Sequence, residues 1–439
     1  MPEIIAFLLC FEPYLCSTSL RQLSHVVFGL LCIPHRATML NLSRWTEQGG
    51  SYRSVQRFYQ TPINWLLLHW TFIQTHLLSP DGEYILAADE VVVSKAGKKT
   101  YGVGRFYSGL AQRVIPSVSF LSVSLIDVQQ RRSYPVQVEQ LLPPPKASAC
   151  DEAPVKRPPG RPKGSQSYVK ADPTLTPALR LLQDMLRGIQ VRLGALSVKH
   201  IVLDGKFGNY PSTWAVRQTG LHIISKMRHD AALYLPYNGP KPARGATPRY
   251  GEKLNYAQLP RHYLVSTTVE DDYRIESYQM SVYHKDYPDR LNVVVIVKTH
   301  LISGRRGHVI LFSTDLELMA AQMVDYYSLR FQIEFNFRDA KQYWGLEDFM
   351  NVSPQAVTNA VNLAFLMVNL SHAMLKPYRT HDPAFSVLDL KARFRAHRYL
   401  SETIKLLPHP PDEHLISRIW QRLTALGGIH SGHTFPDAA

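Results

Sequence analysis

Tyr327, Arg330, Glu334 and Lys341 stand within YYSLRFQIEFNFRDAK, residues 326–341. A helix turns about 100° per residue, which places the four at about 0°, 300°, 340° and 320°. They share an arc of roughly 60°, and Arg338 joins them near about 20°. One carboxylate among cations and a phenol suits a site that handles phosphate and metal together. A solvated charged face with ordinary ion pairs has the same spacing, so the spacing alone leaves both readings open. Leu329, Ile333, Phe337, Ala340 and Trp344 form a neighbouring stripe at roughly 200–280°, which must face a core.

Two further acids sit where strands should position them. Residues 84–93, YILAADEVVV, read as a buried strand that contains Asp89. Residues 198–204, VKHIVLD, read as a short buried strand ending in Asp204. A carboxylate in such a strand is costly unless it is paired or bound to metal. His200, on the second strand, reads as a core or supporting residue, and Asp127 is a weaker rival for the first acid. Residues 101–106 and 115–128 read as strands that complete a three-strand meander. An amphipathic helix over 176–193 follows, with Thr176 as its cap and Pro177 at its first position. Strand, strand, strand, helix, strand, with acids on the first and fourth strands, is the order of the ribonuclease-H-like fold. Asp89, Asp204 and Glu334 could together hold two Mg²⁺ or Mn²⁺ ions about 3.5–4 Å apart. One ion would activate a water or 3′-hydroxyl and the other would steady the leaving oxygen.

The rest of the chain fits a polyanionic partner. It has 439 residues, with 49 Lys and Arg against 35 Asp and Glu, for a net charge of +14. Such an excess points to nucleic acid or an anionic membrane. No run reaches the roughly 18 apolar residues of a membrane span, which leaves nucleic acid as the expected partner. The N-terminus reads as a packed helix, because Glu3, Glu12 and Pro13 break a signal-peptide pattern. Cys10, Cys16, Cys32 and Cys150 lack metal-ligand spacing and fit reduced thiols in a cytosolic compartment.

Residues 1–80 read as a helical, DNA-binding N-terminal domain. Gly49-Gly50 would turn the chain between two short helices. Ser51 would cap the second, which offers Arg53 and Arg57 to DNA or simply to solvent. Residues 81–220 would form the first part of the core, interrupted by a basic, Pro-rich linker at 142–172. Arg161 and Lys163, in GRPKG within that linker, suit either a minor-groove contact or a solvated loop. Residues 221–310 read as a β-rich insertion domain, 311–380 as the second part of the core, and 381–439 as a basic C-terminal region. The expected fold class is α/β: a mixed sheet flanked by helices, with a β-rich insertion and a helical N-terminal domain.

Tyr, two residues, Arg, three residues, Glu, six residues, Lys is the spacing of Tyr327, Arg330, Glu334 and Lys341. It resembles the Y-R-E-K signature of bacterial DDE transposases of the insertion-sequence-four superfamily. The flanks Phe312-Ser313-Thr314-Asp315 and Trp344-Gly345-Leu346-Glu347 are similar too. The resemblance spans about residues 84–375. It implies that Asp89, Asp204 and Glu334 are metal ligands for two Mg²⁺ or Mn²⁺ ions. It further implies that Arg330 and Lys341 grip phosphates at the transposon end, with Tyr327 beside them. The implied protein binds terminal inverted repeats, cuts double-stranded DNA and joins the freed 3′-hydroxyl to target DNA, as a synaptic homodimer in the bacterial nucleoid. A catalytically inactive DNA-binding derivative, or a nuclease that cuts without joining, are the alternatives.

Overall fold

The computed structural model describes residues 2–46, 50–109, 111–143, 172–194, 196–409 and 411–429. Arg161 and Lys163 of the basic linker, Gly49 of the expected turn, and Cys150 lie outside the described residues. In chain order, the first helices are α1 (Pro2–Leu8), α2 (Ser17–Cys32), α3 (Met39–Trp45), α4 (Tyr52–Gln60) and α5 (Trp65–His76). Strands β1 (Tyr84–Ser94), β2 (Gly104–Ser108), β3 (Arg113–Asp127) and β4 (Arg132–Leu141) follow. Next come α6 (Pro177–Leu193), β5 (His200–Leu203), α7 (Tyr210–Arg217), β6 (His222–Met227), β7 (Leu233–Pro236) and β8 (Tyr250–Lys253). Then come β9 (Leu264–Glu270), β10 (Tyr273–His284), β11 (Leu291–His300) and β12 (Arg306–Ser313). The last helices are α8 (Ala320–Leu329), α9 (Gln332–Tyr343), α10 (Pro354–Arg379), α11 (Val387–Lys405) and α12 (Glu413–Gly427). The chain is thus mixed α/β, its strands flanked by helices. Among the described residues no helix is long and apolar enough to cross a membrane.

Two compact units divide the chain. One holds residues Met1–Gln140, Val191–Val198 and Leu329–Ala439, and the other holds Leu141–Gln190 and Lys199–Ser328.

In the first unit β1 pairs antiparallel with β3 along its whole length, from Tyr84 opposite Asp127 to Ser94 opposite Ser117. β2 and β4 also pair with β3. The expected meander is therefore corrected. Its third long strand is β4, while β2 is a short strand attached to the start of β3. Pro135 argues against a paired strand in sequence, but here its carbonyl accepts from Asn369 on α10 at 2.8 Å. α10 is the central helix of this unit, and most of its residues between Ala356 and Leu375 are buried. Asn359, fully buried on it, donates to the carbonyls of Phe58, Tyr59 and Thr61 and so satisfies the C-terminal end of α4. Ser51 accepts from the Ser54 amide and caps α4 as its sequence suggests.

In the second unit β5 and β6 are parallel, with His200 opposite His222, and α7 makes the crossover between them. The sheet continues antiparallel through β12, β11 and β10 to β7 and β8, with β9 on β10. Thr176 accepts from the Leu179 amide at 3.3 Å, capping α6 ahead of Pro177.

The expected single helix over 326–341 is two helices. Between α8 and α9 the chain turns at Arg330 and Phe331. The amides of Ile333 and Glu334 bond three residues back, to the carbonyls of Arg330 and Phe331. That tighter winding ends one helix and starts the next. The apolar stripe survives the break: Leu329, Ile333, Phe337, Ala340 and Trp344 are all buried.

Candidate active site

Asp89 lies where the buried run of β1 gives out. Tyr84 to Ala88 are buried, while Asp89 and Glu90 are half-buried. One oxygen of Asp89 accepts from the Glu90 amide at 2.8 Å. The other accepts from the Arg330 guanidinium at 3.3 Å. The second terminal nitrogen of Arg330 reaches Oε1 of Glu334 at 3.2 Å, four residues on. A strand acid and a helix acid thus meet on one guanidinium. The Arg330 side chain is 16% exposed, against 24% for Asp89 and 41% for Glu334. Two carboxylates thus share one guanidinium in a partly dehydrated place.

Other residues hold the acid-bearing elements together. Lys341 donates to the carbonyl of Val92 on β1 at 3.1 Å and lies 3.7 Å from Glu347. Lys95, just beyond β1, donates to the carbonyls of Glu347 and Phe349 and sits 3.5 Å above the Phe349 ring. Asn336, buried on α9, donates to the hydroxyls of Ser124 on β3 and Ser133 on β4. Lys391 on α11 donates to the carbonyls of Tyr343 and Leu30, its ammonium 4.8 Å from the Trp344 ring. Burial pushes the Lys95 amine down to about 8 and the Lys391 amine down to about 7. Sequence reading passed over Asn336 and took Lys95 and Lys391 only as members of basic segments, a hairpin tip and a helix that could lie along phosphates. Asn336 left a signal, an amide between two phenylalanines on a helix face. The lysines left none, because their carbonyl partners are invisible in sequence.

The remaining expected site residues are placed within their own units. Arg338 turns to Asp339 at 2.9 Å and lies over the Phe335 ring, not against Glu334. Arg53 and Arg57 lie exposed one turn apart on α4. In the second unit Asp204 is half-buried at the end of β5, and its carbonyl accepts from Ser225 Oγ at 3.0 Å. Tyr327 is half-buried on α8. His200 bonds Asp315 at 2.8 Å and packs against the Tyr326 ring, so it does support its surroundings. Burial pushes the Asp315 carboxyl up, but the His200 hydrogen bond and the Glu317 amide outweigh it and hold the group below its ordinary value. This unit also has a cavity of about 530 Å³ lined by Trp214, Arg217, Arg249, Tyr283 and Arg290. Asp127, the weaker rival, is buried at the end of β3 and accepts from the Gln130 amide, a turn-closing role.

Within neither unit, among the described residues, do three or more His, Cys, Asp or Glu side chains gather as a metal cage. The acceptors at Arg330 are nonetheless hard carboxylate oxygens, the donor type that fits Mg²⁺ or Mn²⁺. The family profile described as DDE superfamily endonuclease matches residues 10–285, well over half of the chain. No curated protein matches it.

Proposed function

The chain belongs to the DDE superfamily endonucleases, and from that premise we propose that it is a cut-and-paste DNA transposase. DDE nucleases generally use divalent metal ions. The observation that carries the reading is the convergence of Asp89 and Glu334 on Arg330. Asp89 lies inside the matched segment and Glu334 lies 49 residues past its end at 285 (334 − 285), so the pairing of the two acids rests on geometry independent of that match.

Asp89, Glu334 and Asp204 are the metal ligands, for two Mg²⁺ or Mn²⁺ ions. The metal when bound supplies Lewis-acid charge at the scissile phosphate. Arg330, which bonds both Asp89 and Glu334, would also be placed to grip a DNA phosphate. Lys341 and Tyr327 face the transposon end, with Lys341 also bracing α9 on β1. Arg338, Arg53, Arg57, Arg161 and Lys163 supply further DNA contacts, and the net charge of +14 supports a long DNA footprint. In this reading residues 1–80 bind DNA, 81–220 and 311–380 form a ribonuclease-H-like core, and 221–310 form the insertion. The linker spans 142–172 and the basic C-terminal region 381–439. A homodimer brings two transposon ends together in the bacterial nucleoid.

The test is cleavage and joining of a duplex that carries the inverted repeats flanking the gene. With Mg²⁺ the protein cuts at the repeat end and joins the 3′-hydroxyl to a target plasmid. Glu334→Gln and Asp89→Asn each lower cleavage by about a hundredfold or more. Cleavage without joining would reduce the activity to that of a nuclease. Cleavage in EDTA, or undiminished cleavage by Glu334→Gln, would overturn the metal-site assignment.

A further inference from the structure

We propose that the cavity of about 530 Å³ in the second unit binds a free nucleoside polyphosphate, a ligand that joins a flat ring to a chain of negative charge. One wall is α7, whose start is fixed by Asn209 accepting from the Ser212 amide. Thr213, Trp214, Arg217 and Gln218 line the cavity from one face of that helix. The other wall is the end of β10 and its connection to β11, which bring Tyr283, Tyr287 and Arg290. Tyr287 is 5% exposed and meets the Phe312 ring of β12 edge-on, 5.9 Å between centroids. Arg249, just before β8, donates to the Pro288 carbonyl and lies 4.4 Å from the centre of the Tyr283 ring. The connection is thus fastened at two points, and the cavity is formed before any ligand arrives.

The lining residues set the ligand's chemistry. Arg217, Arg249 and Arg290 are exposed, and among the described residues none of the three forms an ion pair with an acid. Asp289 is the acid among the lining residues. Arg217 reaches the His222 ring at 3.2 Å, and burial and then this guanidinium hold that imidazole below its ordinary value, so that it accepts. A guanidinium carries five N–H groups, so most of those on Arg217 remain for a ligand, and Arg290 has them all. Three guanidiniums against one carboxylate suit linked phosphates. Trp214 and Tyr283, both half-buried, add aromatic rings on which a base can stack. The buried Tyr287 hydroxyl, with Thr213 beside it, makes no close hydrogen bond and leaves a polar group for the ligand to satisfy.

Place and size favour a free ligand over a DNA strand. The cavity lies at the amino ends of the parallel pair: Arg217 contacts His222 at the start of β6, and Thr314, also in the lining, accepts from the Ile223 amide. Asp204 follows the carboxyl end of β5, at the opposite end of that pair. Cavities of roughly 300–1,000 Å³ enclose one small molecule, whereas a duplex is held along an extended row of phosphates. This inference does not rest on the nuclease reading.

The test is titration calorimetry of the full chain with ATP and with GTP, without DNA and in EDTA, so that no divalent ion at Asp89 and Glu334 can carry the nucleotide. The expected result is saturable binding of one nucleotide per chain that weakens with salt. Arg217→Gln and Arg290→Gln alter exposed side chains, so folding is kept while each raises the dissociation constant about tenfold or more. Trp214→Leu and Tyr283→Leu weaken nucleotide binding and spare the binding of inorganic triphosphate. Arg274→Gln, exposed on β10 and outside the cavity, leaves nucleotide binding unchanged. No saturable heat with either nucleotide at millimolar concentration would overturn the proposal. Inorganic triphosphate bound as tightly as ATP and GTP would reduce the site to an anion patch and also overturn it. So would a short duplex that displaces the nucleotide and loses affinity equally in Arg217→Gln and Arg290→Gln, because the cavity would then be a DNA contact. DNA cleavage with Mg²⁺ is read separately on the same variants, so the loss of this site and the loss of the nuclease reading are distinguishable.

Discussion

Arg330 and Asp89 meet at 3.3 Å although 241 residues of chain separate them. The contact fastens the start of α9 to β1, and the same guanidinium reaches Glu334 at 3.2 Å. Arg330→Gln removes the guanidinium that both partly buried carboxylates bond. Stability should fall by about 1–3 kcal/mol. Mg²⁺ should restore part of it, because a divalent ion supplies the missing charge. Thermal unfolding with and without Mg²⁺ checks this. Equal Mg²⁺ shifts in the variant and the unaltered protein would count against a cation site at Asp89 and Glu334.

Lys391 gives the protein an alkaline stability slope. Its amine titrates at about 7 in the folded chain and near 10.5 in the unfolded chain. Between these values the unfolded chain binds more protons, so stability rises with pH. Urea unfolding from pH 7 to 9.5 should show a smaller rise in Lys391→Met than in the unaltered protein. Parallel curves would mean that the ammonium is not dehydrated as its contacts with Leu30, Tyr343 and Trp344 require.

His69 works at the acid end. It is fully buried on α5, and burial pushes its imidazole down to about 4 from 6.5. The unfolded chain therefore takes up a proton first as pH falls, and stability drops through the window from 6.5 to about 4. The whole drop from this residue is roughly 3 kcal/mol. His69→Leu should flatten that limb, as measured by denaturant midpoints at pH 7 and pH 4.5. An unchanged difference between the two midpoints would exclude His69 as the source.

Asn359 should prove more important for stability than any surface charge. Asn359→Ala strands the carbonyls of Phe58, Tyr59 and Thr61 and the indole N–H of Trp65. The loss should be about 2–4 kcal/mol, from unsatisfied buried groups and a small cavity. A change below about 0.5 kcal/mol would show that α4 does not depend on this anchor.

Arg53 and Arg57 test the DNA-binding role of α4, since both are exposed and neither is needed for packing. The double change to Gln should leave the melting temperature in place and weaken duplex binding. If both touch phosphates, the slope of log affinity against log salt should fall by about 2. An unaltered slope would assign these residues to a solvated face.

Much was legible before any coordinates, for physical reasons. Period-two and period-3.6 burial are local, so β1, β3, β5, β6, the strands from β9 to β12 and the caps Ser51 and Thr176 can be read from neighbouring residues, whereas the short β7 and β8 were not. The stripe Leu329, Ile333, Phe337, Ala340 and Trp344 kept its face even though its helix breaks at Arg330. The break itself was hidden, since no Pro or Gly marks it. β4 was hidden by Pro135, whose partner Asn369 lies 234 residues away.

The sequence alone determined which residue types could do chemistry: acids on strands, and an acid among cations near the C-terminal side of the strand-rich block. Only the tertiary structure decided how each cation is used. Arg330 lies between two carboxylates, Lys341 holds a β1 carbonyl, and Arg338 turns away to Asp339. Helical angles say which side a residue faces, but a long side chain reaches whichever acceptor packing brings near. That acceptor is supplied by distant chain, and no local spacing encodes it.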